Sequence, residues 1–261
     1  MSLWYKMMSV SAFSLVLAWW KLASAAILTW ELSSISMPEP LQSVAYGNDD
    51  EVGYFLGGYI PSPKYAGELE WTRSVYNYSF KDQTFSKYPR DNAPSYFAIP
   101  HQGSASIIEK AANTSTFNIY IVSPVNQKMS PTSSWIYNTK QNTFDDELMG
   151  NLPDAAQFPC VVGDNSNYML YIIGGVTDTE PEGIKNMVAF NTSLYAWIPA
   201  QDFASMQTAR YLSGCALFND SIYIFGGCNQ NSIALSSIER YDVFFGAFQT
   251  NKHLIGLVYQ I

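Results

Sequence analysis

The sequence predicts an all-β fold built from four repeats of about 50 residues, each a four-stranded unit. Three observations carry this expectation. Strands rich in β-branched and aromatic residues run into paired glycines at Gly57-Gly58, Gly174-Gly175 and Gly226-Gly227, as in "VGYFLGG", "MLYIIGG" and "SIYIFGG". Each is followed by an alternating strand bearing an aromatic residue and then Asn or Asp (Tyr76, Tyr137, Phe190, Tyr241), a short turn, and a second aromatic (Phe85, Phe144, Trp197, Phe248). No helical periodicity separates these units. Composition agrees: 48% of residues are apolar, 15% aromatic and 14% charged, which excludes a disordered chain and suits pleated surfaces that accommodate wide side chains.

The elements follow in order. Residues 1–26 read as a secretory signal peptide: Lys6, an apolar run of 14 residues from Met7 to Trp20, then "LASAA" at 22–26 with small residues at the cleavage site. An uncleaved membrane anchor is the weaker alternative, because the run is shorter than the ~20 residues that span a bilayer and Lys21 interrupts it. Residues 27–250 hold the repeats, placed at 37–86, 95–145, 152–198 and 206–249, with a tail at 251–261. The second repeat has lost its glycines: Phe117 to Val122 supplies the strand and Ser123-Pro124 stand where the pair is expected. In the fourth, Asn219-Asp220 marks a hairpin tip and places Cys215 opposite Ile224. Trp30 matches the closing aromatic of a repeat, and Met37, like Met206, lies 20 residues before its first glycine.

These residues resemble the kelch repeat. Met206 to Arg210, Gly214, the hairpin, Gly226-Gly227, Glu239 to Asp242 and Phe248 follow that family's order of basic residue, Gly-Gly, Tyr-Asp and closing Trp. The resemblance is strongest in the fourth repeat and weakest in the second. It implies a kelch-type β-propeller, in which four-stranded blades stand around a channel. Within it Arg210, Trp197, Tyr241, Asp242 and the glycines at 57, 58, 174, 175, 226 and 227 are structural motif residues. Glycine is expected where second strands meet neighbouring backbone and no Cβ fits. Propellers close with about 4 to 8 blades and kelch rings are typically larger than four, so the resemblance implies a piece of a longer ring or an open arc that another chain completes, ahead of a natural four-blade ring, with the Trp30 segment as the strand that fastens a closed ring.

Chemistry is sparse. Formal charge is −8 and no basic run occurs, which argues against nucleic acid. His101, read as lying in a loop between repeats, and His253 are the two histidines. A galactose-oxidase-like copper enzyme, the alternative that the resemblance suggests, needs two Tyr and two His ligands and a Tyr-Cys crosslink in contexts not matched here. No Glu-Asp-His series fits an iron site, and no nucleophile stands beside a His. The stretches at 163–167 and 177–182 lack the ligand order of a calcium loop and read as blade loops. No metal and no cofactor is expected.

Cys160, Cys215 and Cys228 are odd in number, so at least one is unpaired or bridged to another chain; Cys160 and Cys215 read as equivalent core thiols, a Cys215–Cys228 bridge is the alternative, and no pairing is assigned. Asn77, Asn113, Asn191 and Asn219 head Asn-X-Ser/Thr sequons, all expected in turns or loops where a glycan acceptor is accessible. The reading is a secreted, non-enzymatic interaction scaffold for an unidentified protein or glycan partner. Candidate contact loops are residues 59–68 and 176–185, and the mature chain carries no membrane span.

Overall fold

The computed structural model describes residues 35–249, except 42–43, 49–50, 73, 89–100, 112–113, 125–133, 146–148, 151, 154–155, 178–182 and 230. Within them lie four four-stranded antiparallel sheets. The first blade holds β1 (Ala45–Asn48), β2 (Val52–Leu56), β5 (Val75–Ser79) and β6 (Thr84–Lys87), with the hairpin β3 (Tyr59–Pro61) and β4 (Leu69–Trp71) inserted after β2. The second holds β7 (His101–Ala111), β8 (Thr114–Pro124), β9 (Ser134–Asn138) and β10 (Thr143–Asp145). The third holds β11 (Cys160–Asp164), β12 (Met169–Ile173), β13 (Met187–Asn191) and β14 (Ala196–Ile198); the fourth holds β15 (Gly214–Phe218), β16 (Ser221–Phe225), β17 (Ile238–Asp242) and β18 (Ala247–Gln249). The first strands are neighbours in sequence order, β1 beside β7, β7 beside β11 and β11 beside β15. This is a four-blade propeller arrangement.

Alternation along the strands builds the junctions between blades. On β12, Met169, Tyr171 and Ile173 face the fourth blade, while Leu170 and Ile172 face the second. On β8, Ile119 and Ile121 face the first blade, and Tyr120 and Val122 the third. Both faces are buried, so these strands read as unbroken apolar runs rather than alternating ones. A tyrosine holds the third position of every second strand except in the longer β8: Tyr54, Tyr120, Tyr171 and Tyr223 each lie opposite the centre of the third strand. Tyr54 then meets Tyr137 of the next blade at 6.1 Å, and Tyr120 meets Phe190 at 6.1 Å.

The turn between third and fourth strands repeats in chemistry. Its leading residue accepts backbone N–H groups from the turn: Ser79 from Asp82, Asn138 from Gln141, Asn191 from Ser193 and Leu194, Asp242 from Phe244 and Phe245. Four residues later the chain takes a left-handed conformation at Gln83, Asn142, Tyr195 and Gly246 (φ +56°, +54°, +50° and +64°). The cap satisfies donors that the bend would otherwise strand. An aromatic before the cap then pairs with the closing aromatic: Tyr137–Phe144 at 4.8 Å, Phe190–Trp197 at 5.0 Å and Tyr241–Phe248 at 5.1 Å.

In the first blade this pair is Tyr78–Phe85, also at 4.8 Å and directly cross-strand. That corrects the reading of Tyr76-Asn77 as the turn signal. The aromatic and its partner are seven residues apart in the other three blades, a spacing that Tyr78 meets and Tyr76 does not.

Two further expectations are overturned. His101 is the first residue of β7, across from Pro124, and not in a loop; without a glycine pair to end it, β8 runs through to Pro124, and His101 pairs with it there. Cys160 and Cys215 form a disulfide, with Cα atoms 6.0 Å apart. Their positions differ by one residue: Cys160 opposes Ile173, whereas Gly214 opposes the corresponding Phe225 and Cys215 opposes Ile224. A one-residue offset reverses the face, so the two side chains meet across the junction. The Asn219-Asp220 tip does set the expected Cys215–Ile224 pairing, with φ of +46° and +53°. Cys228 keeps a free thiol.

Candidate functional site

The double glycines end the second strands in three blades and fix where the loops beyond them begin. The first glycine donates to the residue that precedes the third strand: Gly57 to Ser74 (3.0 Å), Gly174 to Asn186 (3.0 Å), Gly226 to Ser237 (3.1 Å). The carbonyl of the second accepts from the returning chain: Gly58 from Thr72 (3.0 Å), Gly175 from Ile184 (2.8 Å), Gly227 from Leu235 (2.8 Å). All six have positive φ. A Cβ on Gly175 would stand 2.8 Å from the Gln157 carbonyl, and one on Gly227 2.7 Å from that of Tyr211. Gly175 also donates to the Arg210 carbonyl (2.9 Å), tying the third blade to the strand connector of the fourth.

Arg210 lies within this base, and its side chain is fully buried. Nη1 donates to the carbonyls of Gly226 (2.8 Å) and Ser237 (3.2 Å); Nη2 donates to the Ser237 hydroxyl (3.1 Å) and to Glu239 Oε1 (2.6 Å). Glu239 accepts as well from the backbone N–H groups of Gln207 (2.8 Å) and Thr208 (3.1 Å). The guanidinium thus clamps both ends of the 228–236 loop to the third strand and to the connector. It is committed internally and is not presented to a partner. The sequence marks Glu239 as the first residue of the "ERYD" stretch but not as the partner of Arg210.

Other motif residues are placed similarly. Trp197 Nε1 donates to the Met149 carbonyl at 2.6 Å, fastening the outer strand of the third blade to the chain that enters it. Tyr241 is buried, and burial, then Asp242, raises its phenol pKa. Burial likewise raises Tyr137 and Tyr171. These phenols stay neutral and act as packing groups. Asp164 of the 163–167 stretch caps its own hairpin, accepting from Ser166 and Asn167.

The sequons separate. Asn219 is exposed at its hairpin tip, and Asn191 caps its turn. Asn77 is in mid-strand on β5, opposite Tyr54, with its buried Oδ1 lacking a hydrogen-bond partner. That overturns its placement in a turn, and the reason is the register of the first blade: Ser79, not Asn77, leads the turn. Asn113 and His253 lie outside the described residues.

What the glycine end presents is its loops. Residues 59–68, expected as a loop, fold into the β3–β4 hairpin, with Tyr59 paired to Trp71 and Pro61 to Leu69. Its tip is closed by Ser62 Oγ, which accepts from Lys64 and Tyr65. Tyr65 is 61% exposed and Leu69 50% exposed. On the fourth blade, Asn229 Oδ1 accepts from Asn231 and Ile233, and the Tyr211 and Ser232 hydroxyls lie 3.0 Å apart; Ile233 points outward. Of the 176–185 loop, residues 178–182 lie outside the described set. Among the described residues no three His, Cys, Asp or Glu side chains gather as a metal site, and no helix is long and apolar enough to cross a membrane.

Residues 209–243 match the family described as Kelch motif. The match runs from Ala209, through the clamp, hairpin and glycine pair, past the Tyr-Asp cap. The fourth blade thus carries a kelch motif, within a four-blade propeller arrangement. Kelch repeat and BTB domain-containing protein 1 of cowpox virus (strain Brighton Red) is similar, 31% identical over 106 residues, which cover 40% of this chain and 17% of the viral protein. The protein of the same name from camelpox virus (strain CMS) is 31% identical over the same length, and that from ectromelia virus (strain Moscow) 30% identical, with equal coverage. The chain therefore matches only a small part of these relatives.

Proposed function

We propose that this kelch-repeat chain is an exported, non-enzymatic scaffold that binds a protein or glycan partner through the loops at the double-glycine end. The observation that carries the reading is the β3–β4 hairpin. Two strands and a Ser62-capped tip hold Tyr65 and Leu69 out from a base in which the Arg210 guanidinium is engaged internally through Nη1 and Nη2. Rigid, exposed aromatic and aliphatic side chains on a fixed base supply contact area at little ordering cost. Export is supported by the signal-like residues 1–26 and by a disulfide between neighbouring blades, which persists in oxidising compartments.

The test uses the full chain produced in secreting cells, with a photo-crosslinking amino acid at Tyr65 or Leu69 on one end and at Lys81 on the other. Adducts at Tyr65 and Leu69 but not at Lys81 are the expected result. Adducts confined to Lys81 refute the face assignment. Stoichiometric copper that is lost on replacing His101 or His253 refutes the non-enzymatic reading.

A further inference from the structure

The molecule has a second end, where the strand turns cluster, and its surface chemistry differs. On the fourth blade Phe244 and Phe245 stand 83% and 71% exposed at the turn after Asp242, their rings 5.1 Å apart and perpendicular. The corresponding turn positions of the first two blades hold Lys81-Asp82 and Lys140-Gln141. Adjacent exposed phenylalanines on a tight turn have no packing role in their own blade, and exposed apolar patches mark covered surfaces. The turn touches the neighbouring hairpin tip: Val243 donates to the Asp220 carbonyl at 2.9 Å. That tip carries Asn219, head of the sequon Asn219-Asp220-Ser221, with an exposed side chain. Asn191, head of a second sequon, leads the equivalent turn of the third blade at the same end. Its Oδ1 accepts from Ser193 and Leu194, an arrangement that leaves the amide nitrogen outside the turn bonds.

Asn77 contrasts with both. It is on the same face of β5 as Val75, which packs in the junction between the first two blades. A sugar added there before folding would have to occupy that junction, so the chains that complete the fold are those with Asn77 bare.

We propose that the turn end is the glycan-bearing end of this protein, with N-linked oligosaccharide on Asn191, Asn219 or both, none on Asn77, and the sugars on the end that carries Phe244 and Phe245. This rests on the export reading above. In the transfer, the asparagine amide nitrogen bonds to the anomeric carbon of a lipid-pyrophosphate-linked oligosaccharide. The anomeric carbon–oxygen bond breaks, lipid pyrophosphate leaves with that electron pair, and the amide proton passes to a base of the transferase. Addition precedes folding, so the buried Ser221 hydroxyl is accessible when the sequon is read. Glycans on this end leave the double-glycine end bare, which fits partner contact there.

The experiment expresses the full chain in secreting eukaryotic cells and collects protein from the medium. Amide-cleaving deglycosylation in ¹⁸O water then marks each occupied asparagine as ¹⁸O-aspartate for peptide mass spectrometry. The expected result is the mark at Asn219 or Asn191, or both, with Asn77 bare. Asn219→Gln and Asn191→Gln then remove the mass of one glycan each where marked, while Asn77→Gln changes nothing. A mark at Asn77, or none at either Asn191 or Asn219, overturns the proposal. A parallel version of the chain, with residues 1–26 replaced by a host secretion signal, separates the two readings. Absence of the native chain from the medium with this version secreted and marked refutes native export alone.

Discussion

Replacing Arg210 by methionine keeps the length of the side chain and removes its charge. Four hydrogen bonds are lost, to the Gly226 and Ser237 carbonyls, the Ser237 hydroxyl and Glu239. The larger cost comes from what remains. The Glu239 side chain is only 10% exposed, and without the guanidinium its charge is buried opposite apolar atoms. Breaking a buried pair from one side costs about 3–5 kcal/mol. The pair is shielded from solvent, so this figure is not discounted as a surface ion pair would be. Urea unfolding, followed by tyrosine and tryptophan fluorescence, reads the loss as a lower midpoint at an unchanged slope. The double variant Arg210→Met/Glu239→Gln removes the stranded charge while leaving an amide oxygen for the Gln207 or Thr208 N–H. It recovers about 1–2 kcal/mol of the loss. Arg210→Lys falls between, because one ammonium cannot reach both carbonyls and the carboxylate as the planar fork does; it supplies a measurable point if the methionine variant has no folded baseline. A methionine variant within about 0.5 kcal/mol of the parent, the range of a surface substitution, refutes the clamp.

The remaining expectations probe independent features. Gly175→Ala costs well over the ~1 kcal/mol of a left-handed alanine, because the new Cβ meets the Gln157 carbonyl; Gly246→Ala, whose nearest neighbour is 3.7 Å away, costs only about that amount. Equal midpoints for the two variants in urea contradict the close-approach explanation of the paired glycines. The Cys160–Cys215 bridge closes a sequence separation of 55 residues, so Cys160→Ser/Cys215→Ser lowers stability by about 4 kcal/mol on the chain-entropy estimate. Thiol labelling in denaturant should find one reactive cysteine per molecule, Cys228; three reactive thiols in protein from the medium contradict the bridge. Burial raises the Tyr137 and Tyr171 phenols above their usual 10.0. Above pH ~10 the unfolded chain therefore releases protons that the folded chain keeps, and stability falls as pH rises. Phenolate absorbance should show at least two tyrosines, Tyr137 and Tyr171, that ionise only on unfolding; a single smooth titration of all tyrosines near 10 would oppose this.

The blade architecture was legible because its signals are local. Paired glycines, a two-residue hairpin tip and an aromatic seven residues before its partner can each be read within a dozen positions. The second-strand tyrosines at 54, 120, 171 and 223 are equally visible but merge into the general aromatic excess. What escaped was nonlocal or depended on a single residue of register. The disulfide needed the knowledge that a four-residue turn in the third blade and a two-residue turn in the fourth shift Cys160 and Cys215 to opposite faces. The Asn77 assignment failed because "VYNYS" offers two aromatic-polar pairs, and only the distance to Phe85 selects the second. The Arg210–Glu239 pair escaped because it spans 29 positions and joins the connector before the fourth blade to its third strand, a contact neither stretch announces alone.

The face that the fourth blade turns away from the third departs from the pattern of the inner junctions. Where the third blade presents Met169 and Ala189 to its neighbour, the fourth presents Ser221 and Arg240 at the corresponding ladder positions. Arg240 Nε donates to Ser221 Oγ (3.0 Å), Nη2 lies 3.4 Å from Asp242 Oδ2, and the guanidinium stands 5.9 Å from the Tyr223 ring centre. The tyrosine that joins blades elsewhere is here engaged by a cation from its own sheet. An apolar blade face laid over it in the manner of the third junction would strip water from a guanidinium that is now partly exposed, without supplying acceptors in return. An apolar surface is therefore a poor cover for this face, and one carrying carboxylates or carbonyls opposite Arg240 is a better one.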